Sequence, residues 1–301
     1  MTPSPGLGQL RGWERDDAAA PWPAPAKLNL MLRVLGRRPD DYHRLQTVFQ
    51  FIDRCDQIHL AVLADGRIER RGELPGVPAE SDLTVRAARL LQRQTGCRLG
   101  AGIRVDKILP MGGGLGGGSS DAATTLVGLN HLWGTGLGLD ELAALGLRLG
   151  ADVPVFVRGL AAWGEGVGEE LTPVDLAEPW YLVLTPPGSV ATAAVFGDPG
   201  LTRDSPAITM LDFSRGEIRN DCLPVVRRTY PQVAAALDWL TAWLADPDGG
   251  EARLTGTGGC VFAAFATRAE AVAALDAAPT ALRAFVARGL NRSPLLDRLA
   301  P

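Results

Sequence analysis

A glycine-rich segment is the part of the sequence whose residue types and spacing point most clearly to chemistry. It covers residues 109–121 and joins a predicted strand at residues 103–108 to a predicted helix that starts at Ser119. Glycine allows positive φ values and close approach of the backbone to a ligand, and consecutive free N–H groups attract anions. The positive end of the helix dipole would face the same anion. The segment is therefore predicted to hold phosphate groups, and its candidate phosphate-binding residues are Pro110, Met111, Gly112, Gly113, Gly114, Leu115, Gly116, Gly117, Gly118, Ser119 and Ser120.

Three interpretations of the glycine-rich segment compete. A flexible linker is disfavoured because linkers seldom lie between a strand and a helix of a compact domain. The dinucleotide fingerprint Gly-x-Gly-x-x-Gly is met from Gly112 to Gly117, but the acidic residue that should follow about 20 positions later is missing. A Walker loop is excluded because no Gly-Lys-Ser/Thr triplet occurs. A nucleoside triphosphate loop of another kind remains, in which valine at Gly116 or Gly117 should exclude phosphate and leave the fold largely intact.

Three other short motifs contain residues that could act on a phosphoryl group, although each has an ordinary structural explanation. Lys27, in Pro-Ala-Lys-Leu-Asn, could be a solvated residue at the edge of a strand. Asp152, in Gly-Ala-Asp-Val-Pro, could cap a helix or a turn. The glycines of residues 256–259 could form a tight hairpin. None of the three motifs indicates the function alone, so the function is inferred from all of them and from their order along the chain.

The elements that would position these motifs are strands and helices in both halves of the chain. Alternating apolar residues from Lys27 predict a half-buried strand, and residues 164–170 look like a turn between two domains. We predict an α+β protein with a disordered extension at residues 1–22 and domains at residues 23–165 and 166–301. The other predicted elements are strands at 45–52, 57–64, 181–185, 253–255, 260–266 and 284–287, and helices at 83–94, 140–149, 224–244 (interrupted at Pro231) and 268–277.

Length, composition and charge limit the possible classes of function. The 301 residues suffice for two packed domains, and the net charge of −4 argues against nucleic acid or an anionic membrane as partner. No apolar run reaches the ~20 residues of a transmembrane helix. The four cysteines lack a Cys-x-x-Cys pair, which argues against structural zinc and fits free thiols in a reducing cytoplasm. We expect a cytoplasmic protein that is a monomer or a weak homodimer.

Taken in order, the motifs resemble those of a known superfamily of small-molecule kinases, the galactokinase, homoserine kinase, mevalonate kinase and phosphomevalonate kinase superfamily. The residues Tyr42-His43 and the segment 185–196 narrow the resemblance to the members that phosphorylate 4-diphosphocytidyl-2-C-methyl-D-erythritol. The four superfamily patterns are Pro-Ala-Lys-x-Asn from Pro25, Pro-x-x-x-Gly-Leu-x-x-x-Ser-Ser from Pro110, Gly-Ala-Asp-Val-Pro from Gly150 and Leu-Thr-Gly-Thr-Gly-Gly from Leu254.

The resemblance implies a fold and a reaction. The fold would be two α+β domains, the second ferredoxin-like, with the site in the cleft between them. ATP would donate a phosphoryl group to the 2-hydroxyl of the substrate, a cytidine diphosphate derivative of methylerythritol. Asp152 would accept or orient the hydroxyl proton, and Lys27 would neutralise charge on the phosphoryl group and keep Asp152 ionised.

The resemblance also implies how the ligands are held. Mg²⁺ would be bound by Ser119 or Ser120 together with water. The cytosine ring would lie between the aromatic faces of Tyr42 and Phe196, and His43 would read its edge. The remaining residues implied to bind the substrate are Asn29, Thr192, Gly256, Thr257 and Gly258.

Two residues depart from the superfamily pattern, and two other functions stay open. Asp82 stands near the expected adenine pocket where asparagine is common, so a donor to the base would be lost. Ala193 stands where proline is common, which would loosen the placement of Phe196. The chain could instead phosphorylate another alcohol, such as homoserine or mevalonate, but these lack a base for Tyr42-His43. It could also be a non-catalytic nucleotide-binding or sugar-sensing protein, which would not need a phosphoryl-transfer pair.

Overall fold

The computed structural model of the chain describes residues 20–244 and 251–299. Residues 1–19 of the extension predicted at residues 1–22 lie outside the described residues. Trp22, the last residue of that predicted extension, is buried and begins the first strand. The strands are β1 (Trp22–Arg37), β2 (His43–Leu63), β3 (Ile68–Arg70), β4 (Gly100–Asp106), β5 (Ala162–Glu165), β6 (Glu170–Pro173), β7 (Trp180–Thr185), β8 (Arg253–Leu254), β9 (Val261–Phe265) and β10 (Arg283–Leu290). The helices are α1 (Leu83–Thr95), α2 (Gly117–Trp133), α3 (Leu139–Leu147), α4 (Val153–Arg158), α5 (Thr192–Gly197), α6 (Met210–Ser214), α7 (Leu223–Thr229), α8 (Pro231–Trp243), α9 (Arg268–Ala277) and α10 (Pro294–Asp297).

A ten-stranded sheet runs through both halves of the described chain in the order β3-β4-β2-β10-β7-β9-β8. Strand β1 and the β5–β6 pair are also joined to β2. Every pair is antiparallel except β3 with β4. The two halves meet where Gly289 and Leu290 of β10 lie opposite Ile52 and Phe51 of β2. Backbone pairing of β2 with β10 therefore connects the two halves.

Strand β2 is longer than the sequence predicts. Residues 45–52 and 57–64 are predicted as two strands, but the structure has one strand of 21 residues. Pro25 lies opposite Cys55 while Ala26 lies opposite Ile52, so two extra residues of β2 form a bulge. The polar residues of this bulge look like a turn in the sequence, although pairing with β1 continues on both sides of it.

The turn at residues 164–170 lies inside the N-terminal sheet. Strands β5 and β6 form a hairpin around it, and β5 pairs with β2. The boundary predicted between residues 165 and 166 thus falls within a hairpin. The sequence does not distinguish the two cases, because a glycine-rich turn looks the same in a hairpin and in a linker between domains. Near the other end of the chain, Leu295 of α10 is buried in the N-terminal core.

Three apolar clusters form the core and anchor the glycine-rich segment. The first packs α1 to α4 against β1, β2 and β4, and the second packs α5, α7, α8 and α9 against β1, β7, β8 and β9. The third lies between them and includes Leu109 and Leu115. Strand β1 contributes to all three clusters, so both of its faces are buried, not one as predicted. The segment is therefore fixed at two points, and the polar side chains of β1 are enclosed.

The positions of some helices agree with the sequence prediction, and other helices were not predicted. The break predicted at Pro231 separates α7 from α8, because proline cannot continue the hydrogen-bond ladder of a preceding helix. The short helices α4, α5, α6 and α10 were not predicted. None of the helices within residues 20–244 and 251–299 is long and apolar enough to cross a membrane.

Candidate active site

A cavity of about 560 Å³ lies between the glycine-rich segment, β1 and the starts of α1 and α4. It brings together most of the residues that the sequence singled out. Ser120, Tyr42, His43 and Gly258 do not line it. The predicted site residues that do line it are Lys27, Asn29, Pro110, Met111, Gly112, Gly113, Gly114, Leu115, Gly116, Gly117, Gly118, Ser119, Asp152, Thr192, Phe196, Gly256 and Thr257.

Lys27 is a buried cation on the wall of this cavity. Its side chain is only 3% exposed, so it is not a solvated edge residue. Its Nζ donates to Asn29 Oδ1 and to the carbonyl of Gly114, the latter over 3.1 Å, and lies 3.4 Å from Asp152 Oδ2. One ammonium group thus joins β1, the glycine-rich segment and the start of α4.

Asp152 occupies the residue before α4 but does not cap that helix. Its side chain makes no capping hydrogen bond, and Pro154 in the first turn has no N–H to offer. The carboxylate is 37% exposed and faces the cavity beside Lys27. It is therefore free to interact with both the ammonium group and a hydroxyl of a bound substrate.

Asn29 is already engaged by the protein. Its Oδ1 accepts from Lys27, its Nδ2 donates to Thr47 Oγ1 over 2.8 Å, and its backbone N–H donates to Thr255 Oγ1 over 3.0 Å. The Thr255 hydroxyl also donates to the carbonyl of Gly114 over 3.3 Å. Asn29 therefore orients Lys27, and its contact with a substrate stays a prediction. Thr47 has no distinctive local sequence, whereas Thr255 lies within the Leu-Thr-Gly-Thr-Gly-Gly pattern but was given no role there.

At two positions of the glycine-rich segment, glycine is required by packing against the protein itself and not only by the space that a phosphate group would need. Gly116 has φ +73°, and a Cβ added there would lie 2.7 Å from the ring of Phe156. At Gly114 an added Cβ would lie 2.4 Å from the carbonyl oxygen of Thr255. The expectation that valine at Gly116 would leave the fold intact is therefore wrong. Gly118 differs, because an added Cβ there meets only Leu83 at 3.6 Å, an ordinary contact.

Gly118→Ala is expected to raise the KM for ATP by roughly tenfold, about 1.4 kcal/mol, without lowering the melting temperature. The methyl group fits the protein and favours the helix, but it would project into the path proposed for the phosphates. Gly114→Ala is the matched variant, and it should melt at a lower temperature because its Cβ overlaps backbone. Steady-state kinetics and thermal melts test both. An unchanged KM in Gly118→Ala would remove this glycine from the phosphate site.

The two serines at the start of α2 have different surroundings. Ser119 lines the cavity close to Gly150, whereas Ser120 is fully buried and its Oγ has no hydrogen-bond partner among the described residues. Of the two hydroxyls, only that of Ser119 can reach a ligand in the cavity. No cluster of three or more His, Cys, Asp or Glu suited to a metal ion occurs in residues 20–244 and 251–299.

A second lysine, Lys107, lies in the same cavity and was not predicted. The chain has only two lysines and uses arginine for its other basic side chains, and both lysines line this cavity. The Nζ of Lys107 pairs with Asp56 and lies 2.8 Å from Asp121 Oδ2. Asp56 Oδ1 accepts from the backbone N–H groups of residues 108 and 109, over 2.6 and 2.7 Å. A compact ammonium group suits this narrow space better than a guanidinium fork.

Burial dominates the electrostatics of Asp121 in this cluster. Its Oδ1 is buried without a partner in the described chain, and burial raises the pKa of Asp121 to about 7 against the opposing effect of Lys107. Burial alone would lower the pKa of Lys107, but the carboxylates of Asp121 and Asp56 outweigh it and the net shift is upward. The ammonium group therefore stays charged, and Asp121 is the member that takes up a proton.

Asp121→Asn is expected to flatten the pH dependence of stability between pH 3.8 and about 7. Across this range the unfolded chain ionises Asp121 while the folded chain keeps its proton, so the folded state binds more protons. The free energy of unfolding of the parent protein should then fall as the pH rises. Urea unfolding at several pH values compares the parent with the variant, and Asp238→Asn, an exposed surface residue, is the control. Parallel curves for parent and Asp121→Asn would contradict the assignment.

Asp82 is used by the protein as a helix cap. Its Oδ1 accepts from the N–H and the hydroxyl of Thr84, over 2.9 and 2.8 Å, and its Oδ2 accepts from Arg70 over 3.3 Å. Aspartate is a strong N-cap residue, and this one begins α1. Asp82 also lines the cavity. Asparagine could cap α1 as well, so the ion pair with Arg70 is the structural feature that favours aspartate at this position.

Of the aromatic residues predicted to hold a base, Phe196 lines the cavity, whereas Tyr42 and His43 do not. Phe196 lies on α5, and the ring of His43 stacks on it with centroids 5.0 Å apart and planes at 22°. Thr192 Oγ1 and Thr257 Oγ1 are hydrogen-bonded over 2.8 Å. Tyr42 is 62% exposed and projects outside the cavity wall. The structure therefore brings His43 to one face of Phe196 and leaves Tyr42 in solvent.

Comparisons with known proteins cover nearly the whole described chain. Two family models match, the GHMP kinases N terminal domain at residues 82–160 and the GHMP kinases C terminal at residues 210–284. The 4-diphosphocytidyl-2-C-methyl-D-erythritol kinase of Nitrosococcus oceani is 58% identical over 278 residues, 92% of this chain and 97% of that protein. The kinase of the same name from Alkalilimnicola ehrlichii is 59% identical over 278 residues, 92% of this chain and 94% of that protein.

The fold of the chain is also similar to that of a solved structure. The crystal structure of a 4-(cytidine 5'-diphospho)-2C-methyl-D-erythritol kinase matches with a TM-score of 0.74 at 30% identity. The match covers 89% of this chain and 98% of that one. The match therefore extends over both halves of the chain.

Proposed function

The chain belongs to the GHMP kinases and, within them, to the 4-diphosphocytidyl-2-C-methyl-D-erythritol kinases, and from this premise we propose how its residues perform the reaction. The enzyme uses ATP to phosphorylate the 2-hydroxyl of 4-diphosphocytidyl-2-C-methyl-D-erythritol, giving the 2-phosphate and ADP on the non-mevalonate route to isoprenoid precursors. We place the reaction in the cytoplasm, which is supported by four cysteines that are all free.

The start of α2 holds the triphosphate of ATP. Residues 116–119 line the cavity at the start of the helix, where the first backbone N–H groups of a helix have no partner within it and the positive end of the helix dipole lies. Leu109 and Leu115 anchor the segment in the core, so its N–H groups are positioned before ATP binds. The adenine end extends toward the start of α1, which also lines the cavity.

Lys27 and Asp152 act on the reacting atoms. The 2-hydroxyl oxygen attacks the γ-phosphorus, its proton passes to a carboxylate oxygen of Asp152, and the bond between the γ-phosphorus and the bridging oxygen breaks to release ADP. Lys27 stabilises the negative charge on the transferring group. One observation carries this proposal: the buried Lys27 ammonium lies 3.4 Å from the accessible Asp152 carboxylate at the mouth of the phosphate loop.

The donor set of the cavity fits Mg²⁺ that is held mainly by ATP. This ion commonly keeps several waters and takes one or two protein oxygens together with substrate phosphates. Ser119 would hold it through Oγ, whereas Ser120 is enclosed behind the helix start. When bound, the ion neutralises charge on the phosphates.

The cytidine end of the substrate lies at α5. Phe196 lines the cavity and offers a ring on which the base can stack beside His43, and the exposed ring of Tyr42 is free to close over the base from the solvent side. Stacking of this kind contributes about 1–3 kcal/mol per base. His43 reads the edge of the base. The turn of Gly256, Thr257 and Gly258 lies beside the substrate diphosphate, with Thr257 held by Thr192.

An ADP-release assay over a panel of alcohols tests the proposed function. The purified chain is expected to turn over 4-diphosphocytidyl-2-C-methyl-D-erythritol and to leave homoserine and mevalonate unphosphorylated, because neither alcohol has a base to bind at α5. Comparable kcat/KM for homoserine or mevalonate would overturn the substrate assignment. ATP binding without turnover of any alcohol would favour a nucleotide sensor.

A further inference from the structure

Arg203 connects the His43 ring to the segment that carries Phe196. Its Nη2 donates to the carbonyls of Phe196 and Asp198 over 2.7 and 2.8 Å, and its Nη1 donates to the carbonyl of Leu201 over 3.2 Å. Its Nε donates to His43 Nε2 over 3.1 Å. A single guanidinium group thus holds both partners of the aromatic stack in place, although it does not line the cavity.

The bond from Arg203 determines where His43 carries its proton. A guanidinium group has only donors, so the atom that it contacts must be an acceptor. His43 Nε2 therefore keeps its lone pair, and the proton of the neutral ring must be on Nδ1. Within the described part of the chain, no group accepts a hydrogen bond from Nδ1.

The charges around His43 keep the ring neutral. Burial lowers the pKa of His43, and the positive charges of Arg203 and Arg37 lower it further, while Asp41 opposes them. Of these groups, only Arg203 forms a hydrogen bond with the ring, since Arg37 is an exposed residue that pairs with Asp41 at 3.1 Å. The neutral ring then presents one fixed donor, the Nδ1–H group.

We propose that Arg203 is a positioning residue that selects the Nδ1–H tautomer of His43 and thereby favours cytosine over uracil. The inference rests on the proposed function, in which His43 reads the edge of the cytosine ring. N3 of cytosine is an acceptor and can take the Nδ1 proton in a hydrogen bond. N3 of uracil carries a hydrogen, so two donors would oppose each other, and unpaired polar groups in a binding site are strongly disfavoured.

The tautomer can be observed directly in the unmodified protein. Long-range nitrogen–proton NMR spectra distinguish the two ring nitrogens, and the chain has only three histidines to assign. We expect His43 to show a protonated Nδ1 and an unprotonated Nε2 at neutral pH. A protonated Nε2 in the parent protein would overturn the inference, and this result does not depend on the folding of any variant.

A matched pair of variants tests the effect on the choice of base. Arg203→Lys keeps a donor-only group, whereas Arg203→Met keeps length but removes every donor. The readout is the ratio of kcat/KM for the cytidylated substrate to kcat/KM for its uridine analogue. Arg203→Met should lower this ratio by roughly tenfold or more, the scale of one lost hydrogen-bond discrimination, and Arg203→Lys should largely restore it. Arg37→Gln, which removes a nearby charge without touching the ring, should keep the parent ratio.

His43→Ala separates failure of this inference from failure of the proposed function. If His43→Ala lowers the ratio but Arg203→Met does not, Arg203 has no part in base choice and only the inference falls. If His43→Ala keeps the parent ratio, His43 does not read the base, and the proposed base recognition falls together with the inference. A loss of turnover in Arg203→Met with an unchanged ratio would show a purely structural role for Arg203.

Discussion

Asp152→Asn is expected to lower kcat by about 10²–10⁴-fold and to change the KM for the substrate little. Asparagine keeps the shape of the side chain but can neither accept the hydroxyl proton nor carry charge. The lost interaction exists mainly in the transition state, so binding of the ground state should be nearly preserved. Because the Asp152 side chain caps nothing, the fold should be kept, although loss of the ion pair with the buried Lys27 should lower the melting temperature.

Steady-state kinetics measure the effect of Asp152→Asn, with thermal melts as the check on folding. Asp140→Asn is a suitable control, because Asp140 is an exposed residue at the start of α3 that pairs with Arg158 at 3.0 Å. That variant should keep parent turnover, since surface ion pairs are worth about 0–1 kcal/mol and Asp140 lies outside the site. Turnover close to that of the parent in Asp152→Asn would leave Asp152 with an orienting role at most.

Lys27→Met is expected to lower kcat by roughly 10²–10³-fold, the cost of removing one preorganised charge from the transition state. Methionine fills much of the same volume but offers no donor to Asn29, Gly114 or the phosphoryl group. The effect on stability has two opposing parts, because two acceptors lose a donor while a buried charge is removed. The prediction is therefore tested by kcat, and no direction of change in melting temperature is predicted.

Lys27→Arg is the matched variant that keeps the charge. A guanidinium group is larger and forked, and the Lys27 Cε already lies 3.1 Å from the position of a Cβ built on Gly116. We expect Lys27→Arg to lose most of the activity as well. Full activity in Lys27→Arg would mean that a nearby positive charge is sufficient and that the position of the ammonium group does not matter.

The motifs predicted the outline of the protein because their residue types are tied to backbone geometry and to chemistry. The two-domain α+β fold and the kinase function, both inferred from the order of the motifs, are confirmed. Lys27 and Asp152 were chosen from sequence, and the structure places them together although 125 positions separate them along the chain. The roles proposed for both side chains stay predictions until the variants are measured.

The sequence could not reveal features that depend on tertiary placement. Asp56, Lys107 and Asp121 form one charged cluster, but each looks like an ordinary solvated residue in its own segment. Which of two adjacent serines faces the cavity depends on the rotation of α2, which spacing alone does not fix. The single strand β2 was split in prediction because its bulge is polar and the sequence does not show that pairing with β1 continues on both sides of it.

Contacts between aromatic rings were also beyond sequence reasoning. Tyr42 and His43 are adjacent, so successive side chains point to opposite sides of the backbone and only one can pack inward. The structure buries His43 against Phe196 and exposes Tyr42. The link from Arg203 to His43 spans 160 positions, and no pattern in the sequence indicates it.

A double-mutant cycle on kcat tests the central claim, that Lys27 and Asp152 act on the phosphoryl group as one unit. It compares the parent, Asp152→Asn, Lys27→Met and the double variant in steady-state reactions with saturating ATP and substrate. Because the two side chains serve one transition state and lie 3.4 Å apart, the double variant should lose much less than the product of the two single losses. A loss equal to that product would show that the two residues act independently and would contradict the account.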